Sequence, residues 1–144
     1  MKTLIYAGAA FAAILAVPLS AQDDAGTMEL TKGEARLAEM LEGRVAGEPE
    51  RCINTFGSRP LKIIDDTAIV YRDGDTIWVN YTRNPDTLDD NDILIIKKYG
   101  SSSQLCRLDN VTTQDRFSHF FSGVIFLEDF VPYRLPEDME RSDS

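Results

Sequence analysis

Two cysteines, one histidine and a run of closely spaced carboxylates are the residues whose types could carry chemistry in this 144-residue chain. Cys52 and Cys106 are an even pair, and neither has a CxxC neighbour. In an exported chain such a pair points to a disulfide, ahead of a two-ligand metal site or a reactive thiol. The only histidine, His119, directly follows Ser118 and sits among Phe117, Phe120 and Phe121. A hydrolase needs serine, base and orienting acid to converge in space. Neighbours along a chain rarely face one another that way, so His119 is expected as a packed or surface residue.

The loop Asp86-Thr87-Leu88-Asp89-Asp90-Asn91-Asp92 offers oxygen ligands of the kind Ca²⁺ takes. It lacks the residue order and the distal Glu of an EF-hand loop, and is read as a solvated charged loop. Asp65-Asp66 and Asp73 with Asp75 fit turns better than a carboxylate pair for acid/base work. Trp78, Tyr81 and Tyr99 would line a ligand groove if they shared a face; core or edge packing is the simpler expectation. No catalytic, cofactor-binding or metal-ligating set is assigned, and Cys52 with Cys106 is the one pairing expected.

The elements that must position these residues can be read in order. Thr31-Lys32-Gly33-Glu34 is a capping box. Leu37, Met40, Leu41 and Arg44 follow the spacing of one helix face. Gly43 or Gly47 can supply the left-handed stop before Pro49. This amphipathic helix of about three turns is too short to stand alone and must dock its apolar stripe.

From Arg51 the pattern is one of strands: Cys52 to Phe56, Leu61 to Ile64, Thr67 to Arg72, Thr76 to Tyr81, Ile93 to Ile96, Leu105 to Leu108 and Val124 to Val131. Asp73-Gly74-Asp75 is a hairpin signal. Ile93 to Ile96, apolar on both faces, suits a central strand, and Asn110 to Ser122 reads as irregular. The fold class is mainly β (α+β), a small antiparallel β-barrel or sandwich of about six or seven strands with one N-terminal amphipathic helix. The globular domain is placed at 31–135, after a flexible leader at 22–30 and before a disordered acidic tail at 136–144.

The N-terminus sets the expected compartment. Lys2, the apolar stretch Leu4 to Val17, Pro18 and the small residue Ala21 follow the plan of a cleaved signal peptide over residues 1–21. The apolar run falls short of the ~20 residues that span a bilayer, so no stable membrane insertion is expected after cleavage. The remainder carries 24 acidic residues against 14 basic ones once Lys2 is set aside, a formal charge of −10. With no basic stripe, nucleic-acid binding is disfavoured.

At Gly43-Arg44-Val45-Ala46-Gly47-Glu48-Pro49-Glu50-Arg51-Cys52-Ile53 the chain resembles a family of small exported proteobacterial proteins catalogued as a domain of unknown function, with a GR-x-AG-x-P-x-x-CI opening. Ile64 to Arg72 and Leu105-Cys106-Arg107-Leu108-Asp109 are similar to later segments of that family. Many members carry a second cysteine pair, which would fall near Pro85–Leu88 and near Ile125; this chain has none there, and it has Leu108 where members tend to have Gly. The resemblance implies an exported β domain and supplies no activity, so no catalytic residues are carried over. Its bacterial setting makes the sequons Asn80-Tyr81-Thr82 and Asn110-Val111-Thr112 chance matches. The functional expectation is a periplasmic or secreted, non-enzymatic binding or envelope-support module for a protein or small ligand, without a cofactor. The alternatives are a small hydrolase with an unrecognised site and a Ca²⁺-dependent binding module.

Overall fold

A computed structural model describes residues 29–56, 59–100 and 102–142. The expected signal peptide at 1–21 and most of the leader at 22–30 lie outside them.

Helix α1 (Lys32–Met40) starts at the capping box: the Glu34 N–H donates to Thr31 Oγ1 at 3.2 Å, and the Thr31 N–H donates to Glu34 Oε2 at 2.8 Å. It stops at a turn in which Gly43 takes a φ of 72°, the left-handed conformation that glycine adopts without a Cβ clash.

Ten strands follow among the described residues: β1 (Val45–Ala46), β2 (Cys52–Asn54), β3 (Lys62–Ile64), β4 (Ala68–Asp73), β5 (Thr76–Asn80), β6 (Asp92–Lys97), β7 (Gln104–Cys106), β8 (Asn110–Asp115), β9 (Phe121–Ile125) and β10 (Val131–Arg134). They form a five-stranded sheet in the order β1-β10-β5-β4-β3, a pair β2-β7, and a three-stranded sheet β6-β8-β9, all antiparallel. The sandwich form of the expectation is the one observed, without a closed barrel and with more strands than the six or seven expected.

The five-stranded sheet is covered on both faces, which explains why β4 and β5 are apolar without alternation. Ile64, Ala68, Val70, Ile77 and Val79 pack beneath Leu37, Met40 and Leu41 of α1. Ile63, Ile69, Tyr71 and Trp78 point the other way and meet Ile53, Leu105, Val111, Ile125, Leu127 and Phe130 from the remaining sheets. Gly33 lets α1 seat closely on the β3–β4 turn, since a Cβ there would overlap the Asp65 carbonyl oxygen and Thr67 Oγ1.

Several expectations are corrected. β6 is an edge strand, not a central one: among the described residues it pairs with β8 alone, and Ile93 and Ile95 are exposed. A continuous apolar run does not distinguish two-sided burial from one buried and one presented face. The segment read as irregular forms β8 and the first two residues of β9. Its inward positions, Val111 and Thr113, are buried, while Asn110, Thr112 and Gln114 face outward and hide the pattern.

The run Val124 to Val131 is not one strand. It leaves β9 after Ile125, crosses between sheets, and re-enters as β10, which contains Pro132. Pro132 is tolerated there because its carbonyl accepts the Gly47 N–H at 2.7 Å on the side where β1 ends, so its missing donor faces the end of that ladder. The tail forms α2 (Pro136–Ser142) where disorder is expected, with Pro136 opening the helix and Glu137 and Asp138 in its first turn, the favourable end for acids.

Candidate binding face

Cys52 and Cys106 form the expected disulfide, and both described cysteines are consumed by it. The two residues face each other directly across β2 and β7, with Cα atoms 4.0 Å apart. That is below the common range, for a reason visible in the ladder. Arg107 donates to the Arg51 carbonyl and Thr55 to the Ser103 carbonyl, so Cys52 and Cys106 occupy the intervening non-hydrogen-bonded position, where strands approach most closely. The outward-facing Cys106 N–H donates to Asp109 Oδ2 at 2.8 Å, ending the strand earlier than Leu108.

The residues that suggested catalysis build a turn instead. Asp115 Oδ1 accepts the Phe117 and Ser118 N–H groups and the Ser118 hydroxyl, which lies 2.7 Å away. These bonds, led by the Ser118 N–H and hydroxyl, hold the Asp115 carboxyl below the usual carboxylate range. His119 is exposed at a φ of 59° and enters the turn through its main chain, accepting from the Gln114 side chain. Among the described residues no hydrogen bond joins the Ser118 hydroxyl to the His119 ring, so the serine is committed to the acid rather than poised on a base.

The acidic loop also folds onto itself and its neighbours. Asp65, Asp89 and Asp90 bring carboxylate oxygens within 4.8 Å of one another. Asp65 Oδ1 accepts the Asp90 N–H, Asp89 Oδ1 accepts from the Asn91 main chain and side chain, and Asp90 Oδ2 pairs with Arg36 at 3.3 Å. Each carboxylate therefore has a structural partner.

Trp78, Tyr81 and Tyr99 do not share a face. Trp78 is buried between the sheets, Tyr81 bonds the Tyr133 hydroxyl at 2.7 Å on the α1 side, and Tyr99 is exposed beyond β6. Partial burial, and then the Tyr133 hydroxyl, push the Tyr81 hydroxyl upward from its ordinary pKa. Asn80, the first residue of one sequon, is fully buried: its Oδ1 accepts the Thr82 and Glu128 N–H groups, and its Nδ2 donates to the Glu128 carbonyl. It ties β5 to the crossover between β9 and β10 and offers no acceptor nitrogen to a glycan.

Sequence reasoning missed the surface that stands out in three dimensions. The outer face of β6-β8-β9 has three registered rows: Ile93–Gln114–Phe121, Ile95–Thr112–Val124, and Lys97–Asn110 continuing to Phe126. Ile95 is 46 % exposed, Phe121 67 % and Phe126 54 %. Two apolar rails thus flank a strip of amide and hydroxyl groups, and the exposed Phe117 and Phe120 extend one end.

At the other end a depression of about 260 Å³ lies between Tyr99, Leu108 and Phe126, bordered by Arg83 and Arg107. Leu108 is 82 % exposed at its rim. The two arginines are fixed by Glu128 at 2.6 Å and Asp129 at 3.1 Å. The free edge of β9 is closed by Asn84, whose side chain donates to the Val124 carbonyl and accepts the Phe126 N–H. That leaves the face, rather than this edge, as the presented surface. The signal for it lay in the alternation across β8, which becomes readable only once the register is known.

Comparison of the chain with protein-family models, with curated proteins and with solved structures finds no match. Among the described residues no helix is long and apolar enough to cross a membrane.

Proposed function

We propose that this chain is an exported, non-enzymatic binding domain that docks a partner protein on the outer face of β6-β8-β9. The observation that carries the reading is the apolar face itself: Ile93, Ile95, Phe121, Val124 and Phe126 are exposed on one sheet surface while the rest of the large apolar side chains in that sheet seal a core. Exposed apolar side chains gathered on one sheet surface are typical of protein interaction sites. Mixed apolar and amide character suits a partner that also exists free in solution. The depression between Tyr99, Leu108 and Phe126 has the size and lining to receive one anchoring side chain.

The formal charge of −9 disfavours an anionic lipid surface and a second copy as occupants, and favours a partner of opposite net charge. The disulfide supports an oxidising compartment, periplasmic or secreted, as does the apolar stretch near the N-terminus. Membership in the exported family that the GR-x-AG-x-P-x-x-CI opening resembles is part of the same proposal.

The test is an affinity measurement on the recovered partner. Phe121→Ser and Phe126→Ser should each weaken binding by about 2 kcal/mol or more, roughly thirty-fold in Kd. Unchanged affinity in both variants, with the folded state intact by circular dichroism, contradicts the assignment.

A further inference from the structure

The two large sheets do not close on each other. β3 ends the five-stranded sheet and β6 ends the three-stranded one, and among the described residues neither has a strand on its outer side. They flank a cavity of about 800 Å³, with Leu61, Ile63, Leu94 and Ile96 among its lining.

Along β6, Asn91 accepts from the Arg116 N–H, which sets the phase of the ladder: residues 93, 95 and 97 bond toward β8. By the alternation of an antiparallel pair, the N–H and C=O groups of Leu94 and Ile96 point into the cavity. An open strand edge above an apolar floor is the geometry that accepts an added strand.

The charge around this cavity runs against that of the chain. Arg36, Lys62 and Arg116 line it, and Arg72 continues the line into an adjoining cavity of about 540 Å³ that shares Arg36 and Lys62 and carries one acid, Glu39. The two carboxylates of the larger cavity are already engaged: Asp90 pairs with Arg36, and the buried Asp92 accepts the Ser122 hydroxyl at 2.5 Å. Among the described residues neither Lys62 nor Arg72 has an acidic partner within ion-pair distance.

We infer that the cleft between β3 and β6 binds an extended acidic polypeptide segment, which pairs with the edge of β6 at Leu94 and Ile96 and sets its carboxylates against Lys62, Arg116 and Arg72. Alternate side chains of the segment fall on the floor beside Leu94 and Ile96, and the others emerge next to Ile93 and Ile95. A segment of about six residues, roughly 20 Å when extended, matches the length of β6. The cleft meets the outer face along β6 at Ile93, while Phe121 and Phe126, which test that face, do not line it, so its failure leaves that reading standing.

The probe is a capped hexapeptide of alternating Val and Glu, titrated into the ¹⁵N-labelled full chain. Expected are saturable shifts at the Leu94, Ile96, Lys62 and Ile63 amides, slowed amide exchange at Leu94 and Ile96, and at least a tenfold loss of affinity between 50 mM and 500 mM salt. The exposed double variant Lys62→Glu with Arg116→Glu should weaken binding at least tenfold with its own spectrum otherwise unchanged. Should that variant fail to fold, the same peptide with Pro at its two central positions serves instead, and should not bind. Equal binding of a control hexapeptide of alternating Val and Lys, shifts elsewhere, no shifts at millimolar peptide, or concentration-dependent pairing of two copies through β6 would each overturn the inference.

Discussion

Gly33→Ala is the sharpest test of how α1 is held, because helix propensity and packing predict opposite signs. In an exposed helix interior the exchange stabilises by about 1 kcal/mol. Here the new Cβ overlaps the Asp65 carbonyl oxygen and Thr67 Oγ1, with the Asp65 carbonyl carbon 3.2 Å away, and backbone cannot swing aside as a side-chain tip can.

Relief requires α1 to back off, and a radial gap of about 0.5–1 Å already forfeits a quarter to a half of each dispersion contact beneath it. Overpacking typically costs about 1–3 kcal/mol. Leu37, buried against Ile64, Val70 and Val79, loses part of the roughly 2 kcal/mol its burial supplies. The net expectation is a loss of about 2 kcal/mol, or on the order of 1 M in a urea midpoint for a domain of this size. Equilibrium unfolding followed by tryptophan fluorescence is suitable, since Trp78 lies in the core and is the only tryptophan. An unchanged or raised midpoint refutes the close seating of α1.

Complete reduction, or Cys106→Ser, opens a loop with a sequence separation of 54 and should lower stability by about 4 kcal/mol on the chain-entropy estimate, read as a fall in the denaturant midpoint. Asn80→Ala leaves the Thr82 and Glu128 N–H groups and the Glu128 carbonyl without their partner, and should cost about 3 kcal/mol or more in the same assay. The lowered pKa of Asp115 means that its contribution is fully present above the unfolded-state value and is lost as pH falls through the folded one. The Phe117 and Ser118 amides should therefore report a titration midpoint below that of an ordinary aspartate and exchange faster beneath it; a midpoint at the ordinary value contradicts the turn.

What the sequence discloses follows from where local chemistry decides the outcome. The Thr31–Glu34 box, the Gly43 stop and the Asp73-Gly74-Asp75 hairpin rest on neighbouring residues, and each forms as read. The disulfide follows from cysteine count and setting. Exposure of Ile93 and Ile95 depends on which strand lies beside them, and no local pattern contains that information. β8 is obscured because its outward positions are polar and its inward ones include a threonine. β10 is obscured because Pro132 signals a stop, although its missing donor faces the end of β1. The binding face combines side chains of three strands and the cleft joins edges of two sheets, so both arise from register and topology.

The central claim, that a protein partner covers the outer face of β6-β8-β9, is tested most directly by contact in the compartment where the protein resides. Photoreactive benzoylphenylalanine in place of Phe121 should yield one adduct of discrete mass on irradiation of intact cells. The same group in place of Asp75, at the β4–β5 hairpin of the other sheet, should yield none. Adding Val124→Ser and Phe126→Ser should abolish the adduct. No adduct from position 121, or the same adducts from position 75, would contradict the account.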